Sequence, residues 1–382
     1  KVVYRRYTNF SMESIQQTWN GQANTNGRCT ATISRNGDLV HKMFIQIDTV
    51  SDTNDFLSSN PGHAWITDIA VEIGGQTIDK QYGSWLETWA ELTQPNTAGQ
   101  LSGSDTLGGA ASATNHFDGW GTSFQRMTAA GGVQSTGVAT RAGVDKPYGR
   151  YFYVPLQFWF NRNVGLSLPL IALQYHEVKL NVQMKCCDDT TSCCSNDCIC
   201  NLCVYGDYVF LDTDERRRFA QISHEYLIEQ VQFSNKIQID SSTVTNNQRS
   251  EVSSITELRF NHPVKELYWT VNQENNDATG RTQACSKTNQ GGTQSIAVDS
   301  ALLQMNGSDR FEERDGKYFT KVQRYQYHSS AGINTTRLGV GSNDVSSDTV
   351  TSKWYPTIAN IHSYSFALNP EEHQPSSTCN FS

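Results

Sequence analysis

At 382 residues the chain is long enough for two domains, each able to bury its own core; its net charge of −8 and pI of about 5.6 offer no basic face of the kind that wraps nucleic acid. Mean hydropathy is −0.53 and no apolar run approaches the ~18 residues that cross a bilayer, so no transmembrane anchor is expected within these residues. Seven of the ten cysteines crowd between Cys186 and Cys203, which argues against a disulfide framework for the whole chain and for a reducing assembly compartment.

Taken in order, CTATISR and DLVHKMFIQID between Cys29 and Asp48 predict a hairpin joined through Asn36-Gly37, with Leu39, Met43, Ile45 and Ile47 on one face. A second strand pair follows. Trp65, Ile69, Val71 and Ile73 face one way, Asp68 and Glu72 face solvent, and Gly74-Gly75 turns the chain into Gln76 to Lys80. Ser84 with Glu87 three residues on reads as a capping box, and Trp85, Leu86, Trp89 and Leu92 recur at helical spacing up to Pro95. From Asn96 to Lys146 the chain is rich in small residues, eleven of the 28 glycines lying between Gly99 and Gly149. A loop that long is expected to be interfacial or functional, with Trp120 and Phe124 as anchors against a neighbouring subunit.

The stretch from Tyr153 to Gln183 is the clearest β signal. Two apolar runs flank a polar turn at Asn161 to Gly165, and the end alternates strictly, Val178, Leu180, Val182 and Met184 on one face and Glu177, Lys179, Asn181 and Gln183 on the other. Pro155 and Pro169 suit first or edge positions of strands. After the cysteine-rich insert, Tyr205 to Leu211 closes the first domain. Asp212 to Glu215 then start a helix that continues through Arg216, Arg217 and Arg218, where local carboxylates are expected to pair with the arginines. Leu227, Val231 and Phe233 predict a strand opening the second domain. Further strands are expected at Thr256, Leu258 and Phe260, at Leu267, Trp269 and Val271, and at Ile358, Tyr364, Phe366 and Leu368, with a polar loop from Asn272 to Ser295. The expected fold is all-β: two tandem eight-stranded jelly-roll sandwiches with short helices in the connections, residues 1–212 and 226–382, joined by a connector at 213–225.

No catalytic constellation is present in the sequence. His224-Glu225 and His176-Glu177 lack the second histidine of a zinc hydrolase, Gly165 to Pro169 lacks the closing glycine of a nucleophile elbow, and Asp68 with Glu72 reads as a solvated strand face rather than a glycosidase pair. No enzyme activity, cofactor or metal is expected. The cysteine insert leaves three readings open: thiolates Cys193, Cys198, Cys200 and Cys203 around a zinc ion, disulfides formed in an oxidising medium, or an unpaired variable loop. Sequons at Asn9, Asn306, Asn334 and Asn380 are the candidate glycosylation sites.

The central stretch resembles the major capsid protein of nucleocytoplasmic large DNA viruses, the iridovirus and algal-virus group. So do VVYRRYTNFSMESI (Val2 to Ile15), YGSWLETWAELTQ (Tyr82 to Gln94), VFLDTDERRRFAQISHEYLIEQ (Val209 to Gln230), NGSDRFEERDGKYF (Asn306 to Phe319) and FALNPEEHQPSSTCNFS (Phe366 to Ser382), in order along nearly the whole chain. The resemblance implies a structural protein that forms homotrimers, the pseudo-hexagonal capsomers of an icosahedral shell, assembled in the host cytoplasm around an internal membrane. Its implied partners are neighbouring capsomers and minor capsid proteins, without direct nucleic-acid contact. It also implies a family pattern running past both ends of the chain, so the second jelly roll is expected to be truncated and loose. The rival reading is a carbohydrate-binding jelly roll with Phe117, Trp120 and Tyr148 stacking on sugars.

Overall fold

The computed structural model describes residues 9–21, 27–49, 61–94, 123–128, 130–131, 151–184, 199–234, 237, 253–270, 298–329, 361–373 and 377–381. In the first half the chain runs β1 (Phe10–Gln17), β2 (Trp19–Asn20), β3 (Arg28–Thr32), β4 (Leu39–Thr49), α1 (Pro61–Ala64), β5 (Ile66–Ile73), β6 (Gln76–Tyr82), α2 (Gly83–Thr93), α3 (Ser123–Thr128), β7 (Tyr151–Pro155), α4 (Trp159–Arg162), β8 (Leu168–Pro169), β9 (Val178–Met184) and β10 (Ile199–Leu211). These ten strands make two five-stranded sheets. One is ordered β1-β10-β4-β7 with β8 also on β4, the other β2-β3-β9-β5-β6, and the described pairings in both are antiparallel.

Side chains from the inner faces interlock between the sheets. Met43, Ile45 and Ile47 of β4, Phe152 and Val154 of β7, and Val204 and Tyr208 of β10 meet Ile69 and Val71 of β5 and Val178, Leu180, Val182 and Met184 of β9. Each such side chain contributes roughly 1.5–3 kcal/mol by leaving water, which is why strict alternation in the sequence found this core. Asn181 departs from the pattern. It is buried on the other face because it accepts from Thr30 and donates to Glu72.

The expected 29–48 hairpin does not form. β3 lies in one sheet and β4 in the other, and residues 33–38 carry the chain across, as sandwich topologies require where a strand changes layer. Gly37 serves this crossing by close approach rather than by a turn: a Cβ there would sit 2.9 Å from the Cβ of Tyr208. The β5–β6 hairpin does form, with Gly74 and Gly75 at φ of 60° and 85°. Asp68 is buried, not solvated, because Lys80 across the hairpin reaches it at 3.2 Å. The helix at Gly83–Thr93 is present, but its N-cap is Tyr82 without a side-chain cap; Ser84 instead offers its carbonyl to Thr88, and Glu87 turns inward to His63.

The second half opens with α5 (Thr213–Gln221), capped by the Asp212 carboxylate on the Thr213 amide. It continues as β11 (Pro263–Val264), β12 (Glu266–Thr270), β13 (Ser300–Ala301), β14 (Gln304–Met305), β15 (Ser308–Asp309), β16 (Arg314–Asp315), a π-helical turn at Tyr318–Val322, α6 (Gln323–Tyr327), β17 (Ile361–Ser365) and β18 (Cys379–Asn380). Among the described residues these strands form four pairs, β11 with β18, β12 with β17, β13 with β16 and β14 with β15. Aromatic rings provide the packing. Phe319 meets Trp269 at 5.1 Å and Phe311 at 5.7 Å, Phe311 meets Tyr364 at 4.7 Å, and Tyr364 meets Phe366 at 5.1 Å.

Two expectations for this half fail, and the strand expected from Ile358 to Leu368 forms in part, as β17 over Ile361–Ser365, with Ile358 outside the described residues. Among the described residues, 226–233 and 256–260 join no strand pair, and Leu227 and Phe233 stay more than half exposed at 56% and 52%. The opposite parity is the one that packs: Tyr226 and Ile228 lie against the core of the first half, so the segment is a strap across that domain rather than a strand of the next. Past β17 the chain turns, which buries Ala367 and leaves Leu368 69% exposed.

Candidate functional site

The two halves meet along a seam built by this strap. α5 is fixed first. The Arg216 guanidinium reaches back to Asp38, in the crossing between sheets, at 2.9 Å from Nε and 3.0 Å from a terminal nitrogen, and the Leu211 amide donates to the same carboxylate. The expected pairing of Arg216 with carboxylates on its own helix is thus replaced by a bidentate bond to the first domain, a geometry that suits the planar guanidinium. The strap then follows β6. Its Val231 amide donates to Asp79, Gln230 donates to the Ile78 carbonyl, and Phe233 packs on Tyr82 with ring centroids 4.9 Å apart. Burial pushes the Asp79 carboxyl up from its ordinary range, against the lowering effect of its hydrogen bonds to Val231, Gln81 and Lys80.

At the centre of the seam Glu229 is shared. One oxygen takes Arg162 from α4 at 2.6 Å and the other takes Lys265, just before β12, at 2.6 Å; all three side chains are about four-fifths buried. Arg162 also lies over the Trp89 ring of α2 at 4.9 Å, and Lys265 donates to the Glu372 carbonyl. Beside them Trp85 of α2 meets Tyr268 of β12 edge-on at 5.2 Å. Arg324 of α6 is buried and donates to the backbone carbonyl of Glu91 at the end of α2; burial pulls its guanidinium below the ordinary arginine range while the Glu91 charge opposes that. Behind Tyr268, His328 sits between two carboxylates, Nε2 at 2.8 Å from Glu266 and Nδ1 at 3.1 Å from Glu371. The arrangement presents hydrogen-bonded ion pairs and edge-on or tilted ring contacts, which can hold two domains in one orientation.

Family models match both sides of this seam: one described as the major capsid protein N-terminus over residues 1–212, and one as the large eukaryotic DNA virus major capsid protein over residues 215–336. The chain belongs to the major capsid proteins of large eukaryotic DNA viruses. Its relatives include the major capsid protein of Pyramimonas orientalis virus, 44% identical over all of this chain and 83% of that protein, and that of Paramecium bursaria Chlorella virus 1, 36% identical over all of this chain and 79% of that protein. Among solved structures, the quasi-atomic PBCV-1 virus capsid aligns with all of this chain and 83% of its own at a TM-score of 0.70 and 34% identity. The Faustovirus major capsid protein aligns at a TM-score of 0.59 with 12% identity, a likeness of fold alone. The chain is accordingly a double jelly roll with few short helices, and its role is structural, in the virion capsid.

In this capsid protein the candidate residues read from sequence are scattered. Phe124 stands on α3, half-buried, its ring 6.2 Å from that of His63 at the base of the long loop; Trp120 lies outside the described residues. Cys193 and Cys198 also lie outside them. Cys200 and Cys203 are both on β10, where extended backbone separates their Cα atoms by roughly 10 Å, rather than the close approach of a C-x-x-C turn. Asn9 precedes β1 and Asn380 lies on β18, both exposed; Asn306 tops the β14–β15 hairpin with φ of 52°; Asn334 and the loop at 272–295 are outside the described residues. Asp68 and Glu72 are separately engaged with Lys80 and Asn181. The seam residues carried no motif. Arg162, Glu229, Lys265, Arg324 and His328 are single charges spread over 167 positions, and only the fold converges them.

Proposed function

We propose that this capsid protein forms a homotrimer whose six jelly rolls give a pseudo-hexagonal capsomer. The capsomers tile an icosahedral shell together with neighbouring copies and minor capsid proteins, over an internal membrane, after assembly in the host cytoplasm. The observation that carries this reading is the alignment of the whole chain, at 34% identity, with a subunit of the PBCV-1 virus capsid. The seam supports it, because a capsomer needs its two sandwiches at a fixed angle, and charge pairs with aromatic contacts at their junction supply that. The segment from 96 to 146, with Phe124 and Trp120, is the contact to the neighbouring subunit; it is rich in small residues and carries few charges, so it desolvates at little cost. The protein catalyses no reaction and binds no genome.

Sedimentation of the protein at rising concentration tests the proposal. A stable trimer, independent of sugar and lost when residues 100–120 are excised, is expected. A monomer at every concentration, or one retained on glycan columns, overturns it.

A further inference from the structure

Both ring nitrogens of His328 face carboxylates. Its side chain has no exposed surface, and those of Glu266 and Glu371 are 3% and 17% exposed. A neutral imidazole has one N–H and one lone pair, so it would turn a lone pair toward one of the two carboxylates; only the imidazolium donates to both. The three residues come from separate segments, Glu266 from β12, His328 from the end of α6 and Glu371 from the turn after β17. The polar groups that bond these carboxylates beside the imidazole are neutral donors. The Tyr268 hydroxyl donates to Glu266 at 2.6 Å, and the Ser329 amide and hydroxyl donate to Glu371. The nearby cations are committed next door: Lys265 to Glu229 and the Glu372 carbonyl, Arg162 to Glu229, and Arg324 to Glu91. His362 of β17 stacks on Trp269, which as the neighbour of Tyr268 on β12 points to the opposite face.

We propose that His328 is a protonation latch: as imidazolium it ties β12 to the turn after β17, and loss of its proton frees this part of the second half while the first sandwich stays folded. Burial by itself pulls the imidazole down, but hydrogen bonds to Glu266 and Glu371 and their charges outweigh it and bring the group to about 9. Burial likewise pushes the Glu371 carboxyl up, and the bonds from His328 and Ser329 prevail and hold it below the ordinary range. A folded-state value above the unfolded one means that the stabilisation is complete below 6.5, the ordinary value, and is lost as pH rises through about 9. For Glu371 the sign is reversed. Its contribution is complete above 4.5 and fades only as pH falls through a lower value, so the latch is closed from mildly acidic to neutral pH.

Hydrogen exchange of the full chain from about pH 6 to about pH 10, corrected for intrinsic rates, reads the latch directly. The amides of β12 and β17 are expected to lose protection on the order of 100-fold relative to those of β9 across that range. His328→Gln is expected to remove the pH dependence. Should that variant not fold, Glu371→Gln decides, since an imidazole left with one carboxylate opens at lower pH than in the native protein. Protection of β12 and β17 that tracks β9 throughout, or a Glu371→Gln protein that opens at the native pH, overturns the proposal.

Discussion

Arg162 and Glu229 meet at 2.6 Å across the junction of the two jelly rolls, and the second oxygen of Glu229 is held by Lys265 at the same distance. A carboxylate shared by two cations from opposite sides of a domain junction carries directional information that apolar contact lacks. Arg162 is itself fixed by the Trp89 ring, so its head group is preorganised rather than ordered at the moment of docking.

Replacing Glu229 by Gln leaves two partly buried cations facing a neutral amide. The expected loss is about 1–3 kcal/mol, above the range of surface pairs because all three groups are largely out of water. Urea unfolding checks it, with Glu225→Gln on the exposed side of the same strap as the control, expected within about 0.5 kcal/mol of the parent. Equal midpoints for the two variants would show that Glu229 adds nothing to the stability of the seam.

Gly83 sets two effects of opposite sign against each other. Alanine at the first position of α2 gains up to about 1 kcal/mol in helix propensity. Its Cβ, however, would lie 2.1 Å from the His63 carbonyl oxygen and 2.3 Å from that of Ile66, both backbone atoms that cannot rotate away. The overlap wins. Gly83→Ala should destabilise by about 1–3 kcal/mol, read as a lowered urea midpoint, whereas a rise would mean that α1 yields.

The first jelly roll was legible in the sequence because the apolar side chains of its strands recur at alternate positions on the inner face. The inner face of Val178 to Met184 needed nothing beyond a period of two, whereas the burial of Asn181 on the other face has no signal in that period. The hairpin error at residues 29–48 has a physical source: alternation reports which face of a strand is buried but not which strand lies beside it, and β3 and β4 are equally good members of opposite sheets. The strap at 226–233 is harder still, since it is apolar at both parities and only docking shows that Tyr226 and Ile228 face inward. The seam was invisible because isolated charges have no period. The acidic helix start at Asp212 to Glu215 is the exception, being a local signal that a few neighbouring residues specify.

Tyr208 closes the crossing between the sheets. Its hydroxyl stands 2.6 Å from the Ser34 carbonyl and 2.9 Å from the Gln17 carboxamide oxygen, with the ring fully buried. Tyr208→Phe keeps the ring and removes the donor, leaving an inward carbonyl short of a partner at an expected cost of about 1–2 kcal/mol. Faster exchange of the Ser34 amide in the variant would localise that cost to the crossing. Unchanged exchange and unchanged stability would show that other donors replace the hydroxyl.

Asp79 gives the seam a second pH dependence, opposite in sense to that of Glu371. Burial holds its carboxyl above the ordinary value of 3.8, so between that value and its folded one the unfolded chain has released the proton while the folded chain retains it. Folding therefore weakens as pH rises through this interval, and the penalty is constant above it. Asp79→Asn cannot ionise and escapes this weakening, although its amide fits the Val231 and Gln81 bonds less well. That poorer fit costs the same at every pH and cancels when two pH values are compared. The stability of Asp79→Asn relative to the native protein should thus improve between about pH 3.5 and about pH 7, measured as the difference in urea midpoints. A difference that stays flat, or that moves in favour of the native protein, would mean that the strap leaves Asp79 open to water.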